Sequence, residues 1–315
     1  MSRTPLTQTV PDPAVTPTFH VGPRAFAQIM KGGQWRLSLP HSVPWPQFIW
    51  ITRGTGSFMI DGRKRAISGA AMAFVPANTL MALDLGAGTF GSVMALPSTT
   101  EANLPTQSAY VRVSDVKLQS VLNGLWDNLV NEVERPTKHN LDQTLDAANE
   151  AALAAHAALL GVWLVRNKMP HDQTKPTAAA ALLAGFTTQL ANKFCTPDTV
   201  SDYAKALGVT ATHLSRVCNS EFGVPASRLL QLTKLYEAQR LLADTGISIQ
   251  EAAARVGFEN AAYFTRVFQQ QTGQNPTGFR AQTRAAPKPP RSAATGPALT
   301  VKFGRALLKS ARQRG

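Results

Sequence analysis

An internal repeat is the feature that most restricts how this chain of 315 residues can fold. Residues 199–223 read TVSDYAKALGVTATHLSRVCNSEFG, and residues 248–273 read SIQEAAARVGFENAAYFTRVFQQQTG. The two copies match at an offset of 49 residues, which becomes 50 after one extra residue in the second turn. Because matched glycines and arginines recur in both copies, chance similarity is a poor explanation, and the repeat predicts one structural unit used twice.

Each copy has the pattern of a helix-turn-helix. Ala204 and Ala253 stand where two helices would cross closely, and Gly208 and Gly257 supply the backbone freedom that ends the first helix. The second helix of each copy carries an apolar stripe for the core, made of Leu214 and Val217 in the first and of Phe264, Val267 and Phe268 in the second. Cys218 takes the place of Phe268, so it is predicted to pack in the core.

The segment between the copies predicts a connecting helix. Pro225 is well placed at its first position, apolar residues then recur at helical spacing, and Thr245-Gly246 ends the helix after Asp244. About twenty residues at 1.5 Å each give roughly 30 Å, close to the roughly 34 Å helical repeat of B-DNA. A rod of this length would place two recognition helices in successive major-groove segments. Lys234 and Arg240 are expected on its solvated face, with phosphate contacts as the alternative.

The duplicated pattern resembles the AraC/XylS family of bacterial transcriptional regulators. The resemblance rests on ALGVTATHLSRVCNSEFG in the first copy and on AARVGFENAAYFTRVFQQQTGQNPTGFR in the second. The second stretch contains the Gly-Phe, Phe-x-Arg-x-Phe, Gly-x-x-Pro and aromatic-Arg elements of the family signature, here at residues 257–258, 264–268, 273–276 and 279–280. The resemblance implies a DNA-binding domain whose partner is double-stranded promoter or operator DNA.

Carried over by position, the resemblance implies two sets of DNA-binding residues. They are Thr210, Thr212, Ser215 and Arg216 in the first copy, and Asn260, Ala261, Ala262, Thr265 and Arg266 in the second. Arginine suits guanine because its planar guanidinium meets O6 and N7 together, and a solvated position or a phosphate contact is the alternative for Arg216. Ala261 and Ala262 replace polar residues that are frequent there, so the second copy either reads bases or mainly grips the backbone. Tyr263 is expected in the core, with a hydrogen bond to a phosphate as the alternative.

The N-terminal half predicts β-structure. From about Gln34 to Leu96 short apolar runs alternate with turn signals, and Asp61-Gly62 is a two-residue hairpin signal between GSFMI and RKRAI. This pattern indicates a small β-barrel or sandwich, and the resemblance implies a cupin-like sensor and dimerisation domain. Helical spacing follows from about Ser114 to Val133 and again from Leu141 to Trp163.

The predicted fold class is α+β, with an N-terminal small cupin-like β-barrel and two following helices, and then an all-α domain of two helix-turn-helix motifs joined by a linker helix. We predict a flexible arm at residues 1–18, a cupin-like sensor and dimerisation domain at 19–167, a linker at 168–180, an AraC-type double helix-turn-helix DNA-binding domain at 181–284 and a basic tail at 285–315. The paired helices of the N-terminal domain favour a homodimer.

The charge balance points to a polyanionic partner. The chain has 32 Lys and Arg against 19 Asp and Glu, a net charge of +13. Residues 187–284 hold ten basic and seven acidic side chains, whereas the predicted tail holds seven basic and none acidic. A nonspecific protein that binds DNA or a membrane surface through this tail is therefore the alternative function.

The cysteine count and the distribution of apolar residues indicate the cellular compartment of the protein. Only two cysteines occur, the N-terminus has no apolar signal segment, and the longest apolar run, residues 151–165, is shorter than a membrane span. We predict a cytoplasmic, nucleoid-associated protein without a membrane partner.

A metal-dependent cupin enzyme is the remaining alternative, and the sequence disfavours it. Residues 42–100 contain two Asp and no His, Glu or Cys, too few for a metal site, and the chain has no nucleophile elbow or phosphate loop. We therefore predict no catalytic residue, no metal and no cofactor. Arg36, Trp50 and Arg53 are instead candidates for a small-molecule effector site, with an ordinary aromatic core as the alternative. RNA polymerase is a further candidate partner.

Overall fold

The computed structural model describes residues 22–97, 100, 104–135, 143–167 and 177–285. Sheets occupy the N-terminal half of these residues and helices the C-terminal half, so the architecture is the mixed one that was predicted. The predicted arm at 1–18, residues 168–176 of the predicted linker and residues 286–315 of the predicted tail lie outside the described residues.

Eight strands lie in the described N-terminal half, namely β1 (Gly22–Ala25), β2 (Gln47–Arg53), β3 (Thr55–Ile60), β4 (Arg63–Ser68), β5 (Ala71–Val75), β6 (Met81–Leu85), β7 (Phe90–Ala95) and β8 (Ala109–Arg112). The larger sheet has the order β1-β7-β2-β5-β8, the smaller one the order β4-β3-β6, and all neighbouring strands are antiparallel. A shared core holds the two sheets together, with Ile49 and Ile51 from one and Phe58 and Leu83 from the other.

The predicted cupin-like barrel is not closed. Among the described strands, β1 and β8 are edges of the larger sheet, and β4 and β6 are edges of the smaller one. The outer edge of β4 meets a helix instead of a strand, since the backbone N–H of Lys64 donates a hydrogen bond of 2.9 Å to Oε1 of Glu221. Among the described strands the two sheets thus remain separate, and this half is an open two-sheet structure.

The hairpin predicted at Asp61-Gly62 is confirmed. Both residues have positive φ, 50° and 70°, and Ile60 pairs with Arg63 across the turn, which is the geometry of a type I′ turn. A Cβ on Gly62 would lie 2.7 Å from backbone atoms of Leu183 and Ala184. Glycine is therefore needed twice, for the positive φ and for the close contact with the C-terminal half.

Four helices accompany the sheets, α1 (Phe26–Met30), α2 (Trp35–Ser38), α3 (Val116–Glu134) and α4 (Gln143–Arg166). The long helices α3 and α4 pack on each other and on the larger sheet through a core that includes Trp126 and Trp163. On the opposite face of α4, Leu159, Val162 and Val165 are 53%, 43% and 50% exposed. Residues 146–166 are long and apolar enough to cross a membrane by length and composition alone, a test that core helices also pass.

Seven helices follow in the described C-terminal half, α5 (Ala178–Lys193), α6 (Val200–Ala206), α7 (Ala211–Phe222), α8 (Ala226–Asp244), α9 (Ile249–Arg255), α10 (Ala261–Thr272) and α11 (Pro276–Ala285). One core joins α5, α6 and α7 to the first half of α8, and another joins α9, α10 and α11 to its second half. The helix α8 is thus the connecting rod that the spacing predicted, with Pro225 as its N-cap instead of its first residue.

The two halves of the protein pack against each other in two places. Met59, Leu80 and Ala82 of the N-terminal half belong to the same core as α5. At α8, the His41 ring stacks on Tyr236 with centroids 4.3 Å apart, and Trp35 contacts the rings of Tyr236 and Phe279. The N-terminal half therefore contacts both ends of the helical half.

Candidate nucleic-acid interface

The first helix-turn-helix consists of α6, a turn and α7. Ala204 is 1% exposed where the helices cross, and Gly208 ends α6 with a φ of 71°, as both were predicted to do. The hydroxyl Oγ1 of Thr210 accepts a hydrogen bond of 3.2 Å from the backbone N–H of His213. Thr210, a predicted DNA-binding residue, is therefore the N-cap of the recognition helix, and its side-chain oxygen satisfies a backbone donor there.

The helix α7 separates buried from exposed residues as its sequence pattern requires. Leu214 and Cys218 are fully buried, and burial raises the pKa of the Cys218 thiol to about 12, which fits the predicted packing role. Thr212 and Arg216 are exposed, and Ser215 is half-buried. The Arg216 Nη2 atom lies 3.2 Å from Nδ1 of His213. The three candidate base readers thus share the outer side of α7.

The second helix-turn-helix, α9 to α10, also has a glycine with positive φ in its turn and a side-chain cap at the start of its second helix. Gly257 has a φ of 77°, and a Cβ there would lie 2.7 Å from the carbonyl oxygen of Cys195. Asn260 is the N-cap, since its Oδ1 accepts hydrogen bonds from the backbone N–H groups of Ala262 and Tyr263 at 2.8 and 3.1 Å. Both recognition helices therefore begin with a predicted DNA-binding residue that also serves as a cap.

The outer face of α10 differs from the expectation at one position. Arg266 and Ala262 are exposed, and Ala261 and Thr265 are half-buried, with the Thr265 hydroxyl donating to the carbonyl of Ala261. Tyr263, expected in the core, is 53% exposed, and the Arg266 guanidinium lies 5.6 Å from the centre of its ring. The expectation for Tyr263 was wrong because Phe264 occupies the core side of that turn, and a stricter count of the helical period would have shown this.

Basic residues of α8 make hydrogen bonds and ion pairs within the protein. Lys234 Nζ donates a hydrogen bond of 3.2 Å to the carbonyl of Thr196, and burial lowers its pKa. Arg240 is 6% exposed and pairs with Glu237 at 2.6 Å, so the solvated position expected for it was wrong. The guanidinium of Arg228 hydrogen-bonds Oε1 of Gln271, which ties α8 to the end of α10.

The aromatic-Arg element that closes the family signature has a structural task here. Phe279 packs on Phe268 in the second core. Arg280 Nη2 donates to the carbonyl of Ile247 at 2.6 Å, and Arg284 Nη2 donates to that of Thr245 at 2.5 Å. These two hydrogen bonds attach α11 to the loop between α8 and α9. Arg280 and Arg284 therefore differ from Arg216 and Arg266, which are exposed at matched positions of α7 and α10.

The three effector candidates do not come together in the structure. Trp50 is 4% exposed and belongs to the core between the larger sheet and α3 and α4. Arg53 lies with its guanidinium 4.2 Å from the centre of the Phe90 ring. Arg36 points to the other half of the protein, where it pairs with Asp244. In the part of the chain that the structure describes, no group of three His, Cys, Asp or Glu side chains is placed to hold a metal.

Comparisons with known proteins bear on the helical half. A family model described as a helix-turn-helix domain matches residues 203–282. The HTH-type transcriptional regulator YfiF of Bacillus subtilis is 29% identical over 156 residues, which make up 50% of this chain and 48% of that protein. The HTH-type transcriptional activator RhaR of Escherichia coli is 22% identical over 247 residues, 76% of this chain and 86% of that protein. This chain therefore spans about half of the length of YfiF and most of that of RhaR.

Among solved structures, apo ToxT from Vibrio cholerae has a TM-score of 0.37 at 13% identity, over 78% of this chain and 91% of that chain. The sequence relatives are named as transcriptional regulators and not as enzymes. The matched residues 203–282 hold both recognition helices and the rod between them. The chain therefore contains a helix-turn-helix domain at residues 203–282 and is similar to HTH-type transcriptional regulators.

Proposed function

We propose that this protein is a transcriptional regulator that binds a specific operator sequence with α7 and α10. The observation that carries the proposal is the pair of exposed arginines, Arg216 and Arg266, at matched positions of two capped recognition helices on one rod. The 19 residues of α8 give a rod of about 28 Å, a length that suits two successive major-groove segments.

The two recognition helices have different roles in this proposal. In α7, Arg216 reads a guanine through O6 and N7, and Thr212 and Ser215 contact neighbouring base edges. In α10, the exposed methyl of Ala262 offers no hydrogen bond, so Arg266 and Tyr263 grip the sugar-phosphate backbone. Sequence preference then comes mainly from α7, and α10 adds affinity and register.

Selection of bound DNA from a random pool with the full chain tests this function. We expect one enriched motif with a strongly specified half contacted by α7 and a weakly specified half about one helical turn away. A truncated chain that ends at residue 285 should enrich the same motif. Enrichment of no motif, or loss of all binding on truncation, would support instead the alternative of a nonspecific protein that binds through its basic tail.

A small-molecule effector site in the N-terminal half is part of the proposal, and Arg36 is the candidate residue that we retain for it, because Trp50 and Arg53 lie apart from Arg36. Support comes from the position of Arg36, whose guanidinium joins α2 to the end of α8, so that a ligand that changes this contact would reach the DNA-binding half. Melting curves of wild type and of Arg36→Gln with a set of metabolites test it, with Arg53→Gln as the control. A ligand that stabilises all three proteins by the same amount would contradict a role of Arg36.

We further propose that the protein is a cytoplasmic homodimer that associates through the exposed face of α4, with RNA polymerase as a candidate partner at the promoter. The face presents Leu159 and Val162 beside Ala151 and Ala155 without an intervening charge. Sedimentation of wild type and of the Leu159→Glu, Val162→Glu double variant tests this assembly. A dimer that persists in the variant would contradict it.

A further inference from the structure

Two cores divide the helical half into two units that share the rod α8. The first unit is α5 to α7 with the first half of α8, and the second unit is α9 to α11 with the second half of α8. Packing on one shared helix leaves each unit able to rock about the axis of that helix. Contacts between the units beside the rod therefore decide how closely the orientation of α10 relative to α7 is held.

The turn before α10 lies directly against the loop that follows α5. A Cβ on Gly257, in this turn, would lie 2.7 Å from the carbonyl oxygen of Cys195 and 3.1 Å from that of Thr196. It would also lie 3.1 Å from Nζ of Lys234, which donates a hydrogen bond of 3.2 Å to the Thr196 carbonyl. Lys234 thus attaches the loop of the first unit to the middle of the rod, at the place where the turn of the second unit rests on it.

The last turn of α10 is held by a second contact between the units. Nη1 of Arg228 donates a hydrogen bond to Oε1 of Gln271, and both residues are half-buried. Arg228 lies between Ala226 and Leu229, which are buried in the core of the first unit, whereas Gln271 belongs to α10. A guanidinium donor makes this hydrogen bond stronger than one between neutral groups.

The two contacts lie at opposite ends of α10. Gly257 precedes the helix, Gln271 stands in its last turn, and the 12 residues between Ala261 and Thr272 give it a length of about 18 Å. A rotation of the second unit about the rod would have to break one contact or the other. The position of α10 is therefore fixed at both ends relative to the first unit.

We propose that Lys234 and Arg228 are positioning residues that fix the orientation of α10 relative to α7, and thereby the spacing of the two operator halves that the protein accepts. In this role both side chains act through Thr196 and Gln271 and do not touch DNA. The spacing part of the role rests on the proposed function, because it needs both recognition helices on one operator. The orientation itself can be measured without DNA.

Operators with altered spacing test the role with the full chain. Lys234→Met and Arg228→Met keep an unbranched apolar stem and remove the donor, and they are studied singly and together. Lys193→Met is the matched control, because Lys193 is exposed at the end of α5, three residues before Thr196. Affinities are measured for the selected operator and for the same operator with one base pair inserted between its halves, after circular dichroism shows that each variant is folded.

We expect the wild type to bind the lengthened operator about 100-fold more weakly than the selected one. One inserted base pair moves the second half by about 3.4 Å and turns it by about 35°, and a rigid domain then loses its second contact. In the double variant this ratio should fall to about tenfold, and the single variants should lie between. Lys193→Met should keep the wild-type ratio. A double variant with the wild-type ratio would overturn the inference.

The same variants separate positioning from direct contact with DNA. If they lose affinity for both operators by one factor, and that factor shrinks as salt rises, the two cations bind phosphates and the inference fails. If the wild type does not prefer the selected operator over a scrambled duplex, the proposed function fails.

A distance measurement without DNA tests the orientation independently of the proposed function. Spin labels are placed at Asn219→Cys and Gln269→Cys, exposed and matched positions of α7 and α10, in a chain that carries Cys195→Ser. We expect a narrow distance distribution between the labels, and a broader one when Lys234→Met and Arg228→Met are added. Equal widths in both proteins would overturn the inference even if the protein bound no specific sequence.

Discussion

The guanidinium of Arg36 meets the carboxylate of Asp244 in a two-point contact that joins the two halves of the protein. Nη2 lies 2.6 Å from Oδ1, and Nη1 lies 3.0 Å from Oδ2, between residues 208 positions apart in the chain. Asp244 is the last residue of α8. The contact therefore connects α2, in the N-terminal half, to the end of the rod that carries both recognition helices.

A double-mutant cycle with Arg36→Ala and Asp244→Ala measures how strongly this contact stabilises the fold. The two side chains are 21% and 36% exposed, so water screens the pair and we expect a coupling free energy of about 0.5–1 kcal/mol. The pair Glu251 and Arg255, one turn apart on α9, is the control and should give about 0.3–0.5 kcal/mol. A coupling of zero for Arg36 and Asp244 in low salt would contradict the bridging role.

Three glycine substitutions should separate backbone strain from steric contact. Gly257→Ala places a Cβ 2.7 Å from the Cys195 carbonyl at a φ of 77° and should lower the free energy of unfolding by about 2–3 kcal/mol. Gly208→Ala has a similar φ and open space and should cost about 1 kcal/mol. Gly124→Ala, inside α3 with open space, should stabilise by about 0.5–1 kcal/mol. Chemical denaturation of the three variants checks this order, and a harmless Gly257→Ala would contradict the turn geometry.

The cap at Asn260 predicts a separation of stability from DNA binding. Asn260→Ala removes the oxygen that accepts from two backbone N–H groups and should cost about 1 kcal/mol of folding stability. Asn260→Asp keeps a capping oxygen and should retain the stability, but its negative charge should repel a nearby phosphate and weaken DNA binding. Melting curves and binding isotherms of both variants check this. If Asn260→Asp binds DNA like the wild type, Asn260 is a cap without a role at the interface.

His41 should make stability depend on pH. Burial against Tyr236 lowers the pKa of the imidazole to about 4, although Nδ1 hydrogen-bonds the Leu39 carbonyl at 2.8 Å. The unfolded chain binds this proton near pH 6.5, so the stabilising contribution is complete above pH 6.5 and is lost as the pH falls towards 4, by about 3 kcal/mol at most. His41→Phe keeps an aromatic ring beside Tyr236 and should flatten the curve in that window. Unfolding titrations from pH 7 to pH 4 test the difference, which vanishes if His41 is solvated.

The elements that the sequence predicted well are those whose signals are local. Gly208 and Gly257 end their helices, Asp61-Gly62 makes the hairpin, and the apolar stripe of α7 buries Cys218 because period and turn chemistry act over a few residues. The matched copies predicted a helix-turn-helix domain, and the family model that matches residues 203–282 covers most of both copies.

The features that escaped prediction depend on contacts between distant segments. The described strands form two sheets and no closed barrel, and the outer edge of β4 contacts α7 across 157 residues of sequence. Arg36 was grouped with Trp50 as a pocket residue, yet it pairs with Asp244, because chain order does not reveal how α2 docks on α8. Arg240 is buried through its pairing with Glu237, and composition gives no sign of such a partner.

Binding of wild type and Arg216→Ala to the selected operator, and to operators with single base-pair changes, tests the central claim most directly. Arg216 is exposed on α7, and a guanidinium can meet O6 and N7 of a guanine together. We expect Arg216→Ala to lose about 1–3 kcal/mol of binding free energy and to become indifferent to the base pair at one position. A variant that keeps the full wild-type base preference, or a wild type without any preference, would contradict sequence reading by α7.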